Sequence, residues 1–97
     1  MGEGMKIWFA EEKRPYTVRA KSDRFIVCTK PMACLHTVLY TVVDLQENIR
    51  GTENLIFGFG AETDEQCREM LERLESGESE ITRRNRVPLN ITRQDGQ

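Results

Sequence analysis

The chain has 97 residues, of which 38% are hydrophobic and 31% charged, and its formal net charge is −2. This composition fits a single small globular domain over 1–97 and excludes a disordered chain, because the apolar residues come in patterned runs. No apolar run approaches the roughly 20 residues that span a bilayer, and no signal-peptide core is evident, so we expect a cytoplasmic chain without membrane contact. We expect residues 1–4 and 94–97 to be frayed.

Three runs in the first half of the chain predict strands. Residues 5–10 ("MKIWFA") alternate between two faces, a period of two that predicts a strand. Residues 16–29 predict a β-hairpin, because two β-branched and aromatic runs flank "KSDR", in which Ser22 and Asp23 favour a turn. Residues 37–45 ("TVLYTVVDL") are apolar or threonine on both faces and therefore predict a central strand.

The next segments are shorter and carry breakers. Residues 46–54 predict a turn or a long hairpin loop, and 55–60 ("LIFGFG") predict a short strand made irregular by its glycines. Near the end of the chain, 87–91 alternate again, and Pro88 restricts this segment to an edge strand or a strand start.

One helix is predicted, over residues 63–76. Thr63 and Gln66 have the spacing of a capping box, and Gly77 is a suitable stop signal. Positions i, i+3, i+4 and i+7 form one apolar stripe, made of Cys67, Met70, Leu71 and Leu74. The fold prediction is therefore α+β, an antiparallel sheet of four to six strands with one amphipathic helix packed on one face.

No reaction centre is apparent among the residue types that usually build one. Cys28, Cys34, His36 and Cys67 are zinc-ligand types, but their spacing is not that of a zinc knuckle and Cys67 lies on the helix stripe. Nothing marks a Cys–His nucleophile pair, and "FGFG" lacks the rest of a phosphate-binding loop. We therefore predict no enzymatic activity, no metal and no cofactor.

The ends of the chain are basic, and they raise the possibility of nucleic-acid binding. Residues 81–97 carry four arginines that can contact phosphates, namely Arg83, Arg84, Arg86 and Arg93. The first thirty residues interleave bases with aromatics, as single-strand binders do: Lys13, Arg14, Arg19, Lys21, Arg24 and Lys30, with Trp8, Phe9, Tyr16 and Phe25. The net charge of −2 argues against this function, and the neighbouring acidic "ESGESE" can pair with the arginines.

The helix region is the acidic part of the chain. Residues 62–80 carry eight acidic and two basic side chains, a net charge of −6. Glu65, Glu69 and Glu72 can share one face of the predicted helix. Such a face can oppose a basic surface on another protein and give fast, specific association without catalytic residues.

Two stretches of the last two-thirds of the chain, "RGTENLIFG" and "RRNRVPL", resemble short hypothetical proteins encoded by bacteriophages and prophages. The resemblance implies a small accessory protein that binds a host protein and inhibits or redirects it, and it implies no functional residues. Our prediction is therefore a non-enzymatic module that binds a host protein, with a nucleic-acid-binding regulator as the alternative.

Overall fold

The computed structural model describes residues 5–32, 37–51, 63–81 and 86–95. These residues form seven strands and one helix: β1 (Lys6–Phe9), β2 (Tyr16–Lys21), β3 (Phe25–Met32), β4 (Thr37–Asp44), β5 (Ile49–Gly51), α1 (Asp64–Ser76), β6 (Arg86–Pro88) and β7 (Ile91–Asp95). The strands build one antiparallel sheet in the order β6-β5-β4-β3-β2-β1-β7. The α+β class is confirmed, whereas the predicted strand count of four to six is too low.

The predicted hairpin and central strand are confirmed. β2 and β3 pair across a turn in which the Ser22 hydroxyl accepts hydrogen bonds from the backbone N–H groups of Arg24 and Phe25, at 3.3 and 3.1 Å. β4 lies inside the sheet between β3 and β5, and its residues 40–44 are buried on both faces. Local turn chemistry and β-branched composition therefore indicated these elements correctly.

Three predictions need correction. Residues 46–54 were predicted as a turn or a long hairpin loop; among the described residues of this region, 45–48 form a turn and Ile49–Gly51 form β5. The predicted strand over 87–91 is two strands, β6 and β7, separated by Leu89 and Asn90. Residues 94 and 95, expected to be frayed, pair with β1 through β7. The predicted strand over 55–60 lies outside the described residues.

The sheet is strongly curled, because its two edge strands are neighbours along the chain. β6 and β7 stand at opposite ends of the strand order, yet only Leu89 and Asn90 connect them. Three Cα–Cα steps of about 3.8 Å reach at most roughly 11 Å, so the two edges must approach each other. Backbone hydrogen bonds join this two-residue connection to the turn before β5 and to the end of β1. The Leu89 N–H donates to the Asn48 carbonyl (3.0 Å), and the Ala10 N–H donates to the Asn90 carbonyl (2.9 Å).

Apolar side chains cover both faces of this curled sheet. An inner cluster fills the curl, and its buried members are Ile7, Phe9, Tyr16, Ile26, Cys28 and Val43. An outer cluster lies between the sheet and the helix, and its buried members are Ala20, Phe25, Val27, Tyr40, Val42, Cys67, Met70 and Leu74. The strict alternation along β3 and β4 sends neighbouring residues to different clusters, as the pleat requires.

The helix forms as its sequence predicts. Thr63 is the N-cap, and both bonds of the capping box with Gln66 are present, each at 3.1 Å. Gly77 ends the helix in the left-handed region, with φ of 86°, a conformation that glycine adopts at little cost. Cys67, Met70 and Leu74 are buried and Leu71 is half-buried, so the predicted stripe faces the sheet.

A candidate protein-docking face on the helix

The acidic face of α1 points away from the sheet. Glu65, Glu69 and Glu72 are all exposed, whereas the apolar stripe of the same helix packs on β2 and β3. At about 100° per residue, the three glutamates fall within an arc of roughly 60° around the helix axis. The sequence prediction that they share one face is consistent with this geometry, and we call these three residues the acidic face.

The acidic face forms no ion pair with any described residue. Other acidic residues of the helix are bound to the sheet: Asp64 accepts from the Arg19 Nε at 2.7 Å, and the Glu75 carboxylate accepts from the Ser22 hydroxyl. Arg68 and Arg73 lie three or four positions from the glutamates, but no N–O distance to them falls within 4.0 Å. The helix therefore contacts the β2–β3 hairpin near both of its ends, and the three glutamates between these contacts are exposed.

A β-bulge helps to orient the helix. The pairing of β2 with β3 shifts register between Val18 and Ala20, which makes Arg19 the extra residue. From there the guanidinium reaches both Asp64 and the Thr29 hydroxyl, the latter at 3.0 Å. The first turn of α1 is thereby held against β2 and β3, which fixes the direction in which the acidic face points.

Two of the four predicted phosphate-binding arginines, Arg86 and Arg93, lie among the described residues. Arg83 and Arg84 lie outside the described residues. Arg86 is exposed on β6, where its Nε donates to the Ile81 carbonyl at 3.2 Å. Arg93 is exposed on β7, and its guanidinium lies 4.3 Å from the centre of the Trp8 ring.

The basic and aromatic residues of the first thirty positions are largely committed to the fold. Three of the four aromatics, Phe9, Tyr16 and Phe25, are buried in the two core clusters, so their rings cannot serve as stacking platforms. Three of the bases are ion-paired: Arg19 with Asp64, Arg24 with Asp44, and Lys30 with Glu12. The adjacent Lys13 and Arg14, in the loop after β1, and Lys21, at the end of β2, are exposed.

The two described cysteines are core residues. Cys28 lies in the inner cluster and Cys67 in the outer cluster, so the two thiols lie on opposite faces of the sheet. Burial raises the pKa of both thiols, which is opposite to the shift that an activated nucleophile needs. Cys34 and His36 lie outside the described residues, and the described part of the chain contains no group of three potential ligands placed to hold a metal ion.

Sequence reasoning missed a buried ionic network. Arg50, predicted to lie in a loop, is on β5 with its side chain only 3% exposed, and it contacts Glu11 and Glu12 from the turn after β1. A lone arginine between Ile49 and Gly51 gives no local sign of burial. Its burial follows from the pairing of β5 with β4 and β6, which no local sequence signal indicates.

No family model, curated protein or solved structure matches the chain significantly. Among the described residues, no helix is long and apolar enough to cross a membrane.

Proposed function

We propose that this chain is a small, non-enzymatic protein-binding module that docks through the acidic face of α1 onto a basic surface of a partner protein. The observation that carries the proposal is the exposure of Glu65, Glu69 and Glu72 on one face, with no ion pair to any described residue. Exposed carboxylates that form no ion pair with the described residues can attract a basic surface on a partner. The helix is rigidly backed by the outer cluster, so little ordering is required on binding.

The proposed role is to occlude or redirect the partner. The resemblance to phage-encoded proteins supports a host protein in the cytoplasm as that partner. A basic groove that normally receives a polyanion is the surface that an acidic helix fits best, because the two potentials are complementary.

The test is affinity capture from nuclease-treated bacterial lysate with two charge-matched variants. One reverses the acidic face (Glu65→Lys, Glu69→Lys, Glu72→Lys), and the other reverses three exposed acids elsewhere (Asp23→Lys, Glu47→Lys, Glu78→Lys). We expect a stoichiometric protein that the wild type and the second variant retain and the first variant loses by at least about tenfold. Equal retention by both variants, or loss from both, contradicts the assignment of the face.

The alternative function, nucleic-acid binding, has one observation in its favour. Arg93 stacks on Trp8 on the outer side of β1 and β7, an arginine–aromatic pair of the kind that single-strand binders use. Fluorescence anisotropy with single-stranded DNA and RNA across a salt series tests it. Binding at micromolar concentration that weakens steeply with salt, and is lost in the variant Arg86→Glu, Arg93→Glu, would establish this alternative.

A further inference from the structure

We propose that the interior end of the curled sheet, around Arg50, is a binding site for a single oxyanion, a carboxylate or a phosphate, and that the Glu11 carboxylate occupies this site when no ligand is bound. The site lies in the inner face of the sheet, whereas α1 covers the outer face. The inference is therefore independent of the acidic face and of the function proposed for it.

Arg50 is placed as a ligand-binding arginine would be. Its side chain is only 3% exposed, and its guanidinium carbon lies 4.1 Å from the centre of the Phe9 ring, which supports it from one side. One terminal nitrogen, Nη1, lies 3.3 Å from the Thr41 hydroxyl oxygen. That hydroxyl in turn contacts the Gly51 carbonyl. The ring and the hydroxyl hold the guanidinium plane, so its remaining donors have fixed directions.

The guanidinium has donor capacity that the described residues do not use. Its Nε is buried and has no hydrogen-bond partner among them. The other terminal nitrogen, Nη2, donates to a Glu11 oxygen at 3.0 Å and lies 3.6 Å from a Glu12 oxygen. A buried donor without a hydrogen-bond partner costs free energy, particularly on a charged group. An anion that accepts from both Nε and a terminal nitrogen therefore binds the guanidinium more strongly than the Glu11 carboxylate, which accepts from one nitrogen.

Glu11 is the exchangeable member of the network. Its side chain is 44% exposed and is held by Arg50 and by a long contact of 3.5 Å from the Asn90 side-chain amide. Glu12 is more firmly fixed, because it pairs with Lys30 at 2.7 Å, and these side chains are 25% and 13% exposed. Rotation of Glu11 into solvent leaves two positive charges and one negative charge at the site, and a bound oxyanion restores neutrality.

The ligand takes the volume beside Nη2 that the Glu11 carboxylate leaves, and from there it can also accept from Nε, because Nε and Nη2 lie on the same edge of the guanidinium. The recognised group is planar or tetrahedral with at least two oxygens, since a guanidinium edge offers two parallel donors. Lys30, whose ammonium also lies 4.9 Å from the Tyr16 ring centre, adds a second positive charge nearby. A free anion or a side chain of another molecule can supply this group, and its chemistry is the same in either case.

The test uses the full chain and follows the Arg50 Nε–H resonance by NMR during titration with sodium acetate or sodium phosphate, with sodium chloride at matched ionic strength as the reference. The key variant is Glu11→Gln, which removes the competing charge, and its matched control is Glu78→Gln, at an exposed position after the helix. We expect saturable shifts at Arg50 and Thr41, with affinity in Glu11→Gln about tenfold higher than in wild type, a factor that corresponds to roughly 1.4 kcal/mol. The control should match wild type.

Stronger binding of acetate would identify a carboxylate ligand, and stronger binding of phosphate a phosphate ligand. Shifts that chloride reproduces at equal ionic strength, or equal affinities of wild type and Glu11→Gln, would overturn the proposal. Arg50→Lys serves as a second variant, because it keeps the charge but removes Nε. If it is folded, as judged by circular dichroism, it should lose the saturable response, and retention of that response would also contradict the site.

Discussion

Asp44 shows how one buried carboxylate organises several parts of this small domain. Its side chain is 6% exposed and accepts two hydrogen bonds from the Arg24 guanidinium, at 3.0 and 2.9 Å. The same carboxylate accepts from the backbone N–H groups of Gln46 and Glu47, at 3.0 and 3.2 Å. It therefore fixes the turn between β4 and β5 while it neutralises an arginine from the β2–β3 turn.

We expect two carboxylates to make the stability of the fold sensitive to acid. Burial alone would raise the pKa of Asp44, but the hydrogen bonds from Arg24 and the turn outweigh it, and the pKa is lowered from its ordinary value of 3.8. The hydrogen bond from Arg50 lowers the pKa of Glu11 from its ordinary value of 4.5. A carboxylate with a lowered pKa in the folded state stabilises the fold above its unfolded pKa, and this contribution is lost as pH falls through the folded pKa.

We therefore expect a free energy of unfolding that is insensitive to these two groups near neutral pH and falls progressively below about pH 4.5. The measurement is urea denaturation at a series of pH values. Asp44→Asn should be less stable than wild type at pH 7 and should lose less stability on acidification. Glu78→Gln, a change at an exposed position, should parallel wild type. A wild type and an Asp44→Asn variant with the same dependence on pH would contradict the role of Asp44.

At the scale of single elements, the helix is the part that local sequence determines most completely. The capping box, the left-handed glycine and the apolar spacing each act within a few residues, so each could be predicted without the fold. β5 is the opposite case. Its three residues have no strand signal of their own, and pairing with β4 and β6 makes them a strand. Gly51 permits Ile81 to pack closely, since a Cβ there would lie 3.2 Å from its Cγ2.

The stripe of α1 predicts a graded response to truncation. Leu74 is 6% exposed within the outer cluster, whereas Leu71 is half-buried at its margin. Leu74→Ala should lower the free energy of unfolding by about 2–5 kcal/mol, because a cavity adds to the lost transfer energy. Leu71→Ala should cost clearly less, because solvent and neighbouring side chains can fill its place. Urea denaturation followed by circular dichroism measures both, and equal costs would mean that the two residues are equally buried.

At the scale of the whole molecule, the curl of the sheet could not be predicted from the sequence. Alternation in 87–91 indicated one strand, but the chain crosses there from one sheet edge to the other. The approach of the two sheet edges also determines which charged side chains are buried. Arg50 and Lys30 come together with Glu11 and Glu12 only because β5 and the turn after β1 meet at one end of the curl. Contacts between positions so far apart along the chain leave no periodic signal.

The concentration of acidic residues in one segment, by contrast, could be predicted from the sequence and has a structural basis. The acidic segment coincides with α1, whose apolar side packs on the sheet, so its carboxylates are concentrated on the opposite side. Pairing of Asp64 with Arg19 holds the start of the helix in place. The sequence could identify the three glutamates of the acidic face. It could not show that the bases of the first hairpin pair with other acids, so that the three glutamates form no ion pair with any residue the structure describes.

The most direct test of the proposed docking is the association rate of the purified chain with its captured partner, measured by stopped-flow fluorescence from about 50 mM to about 500 mM salt. Electrostatic docking through the acidic face predicts a rate constant that falls steeply with salt. It also predicts that reversal of Glu65, Glu69 and Glu72 removes most of this dependence, whereas reversal of Asp23, Glu47 and Glu78 preserves it. A rate constant that is insensitive to salt, or that both variants change equally, would contradict docking through the acidic face.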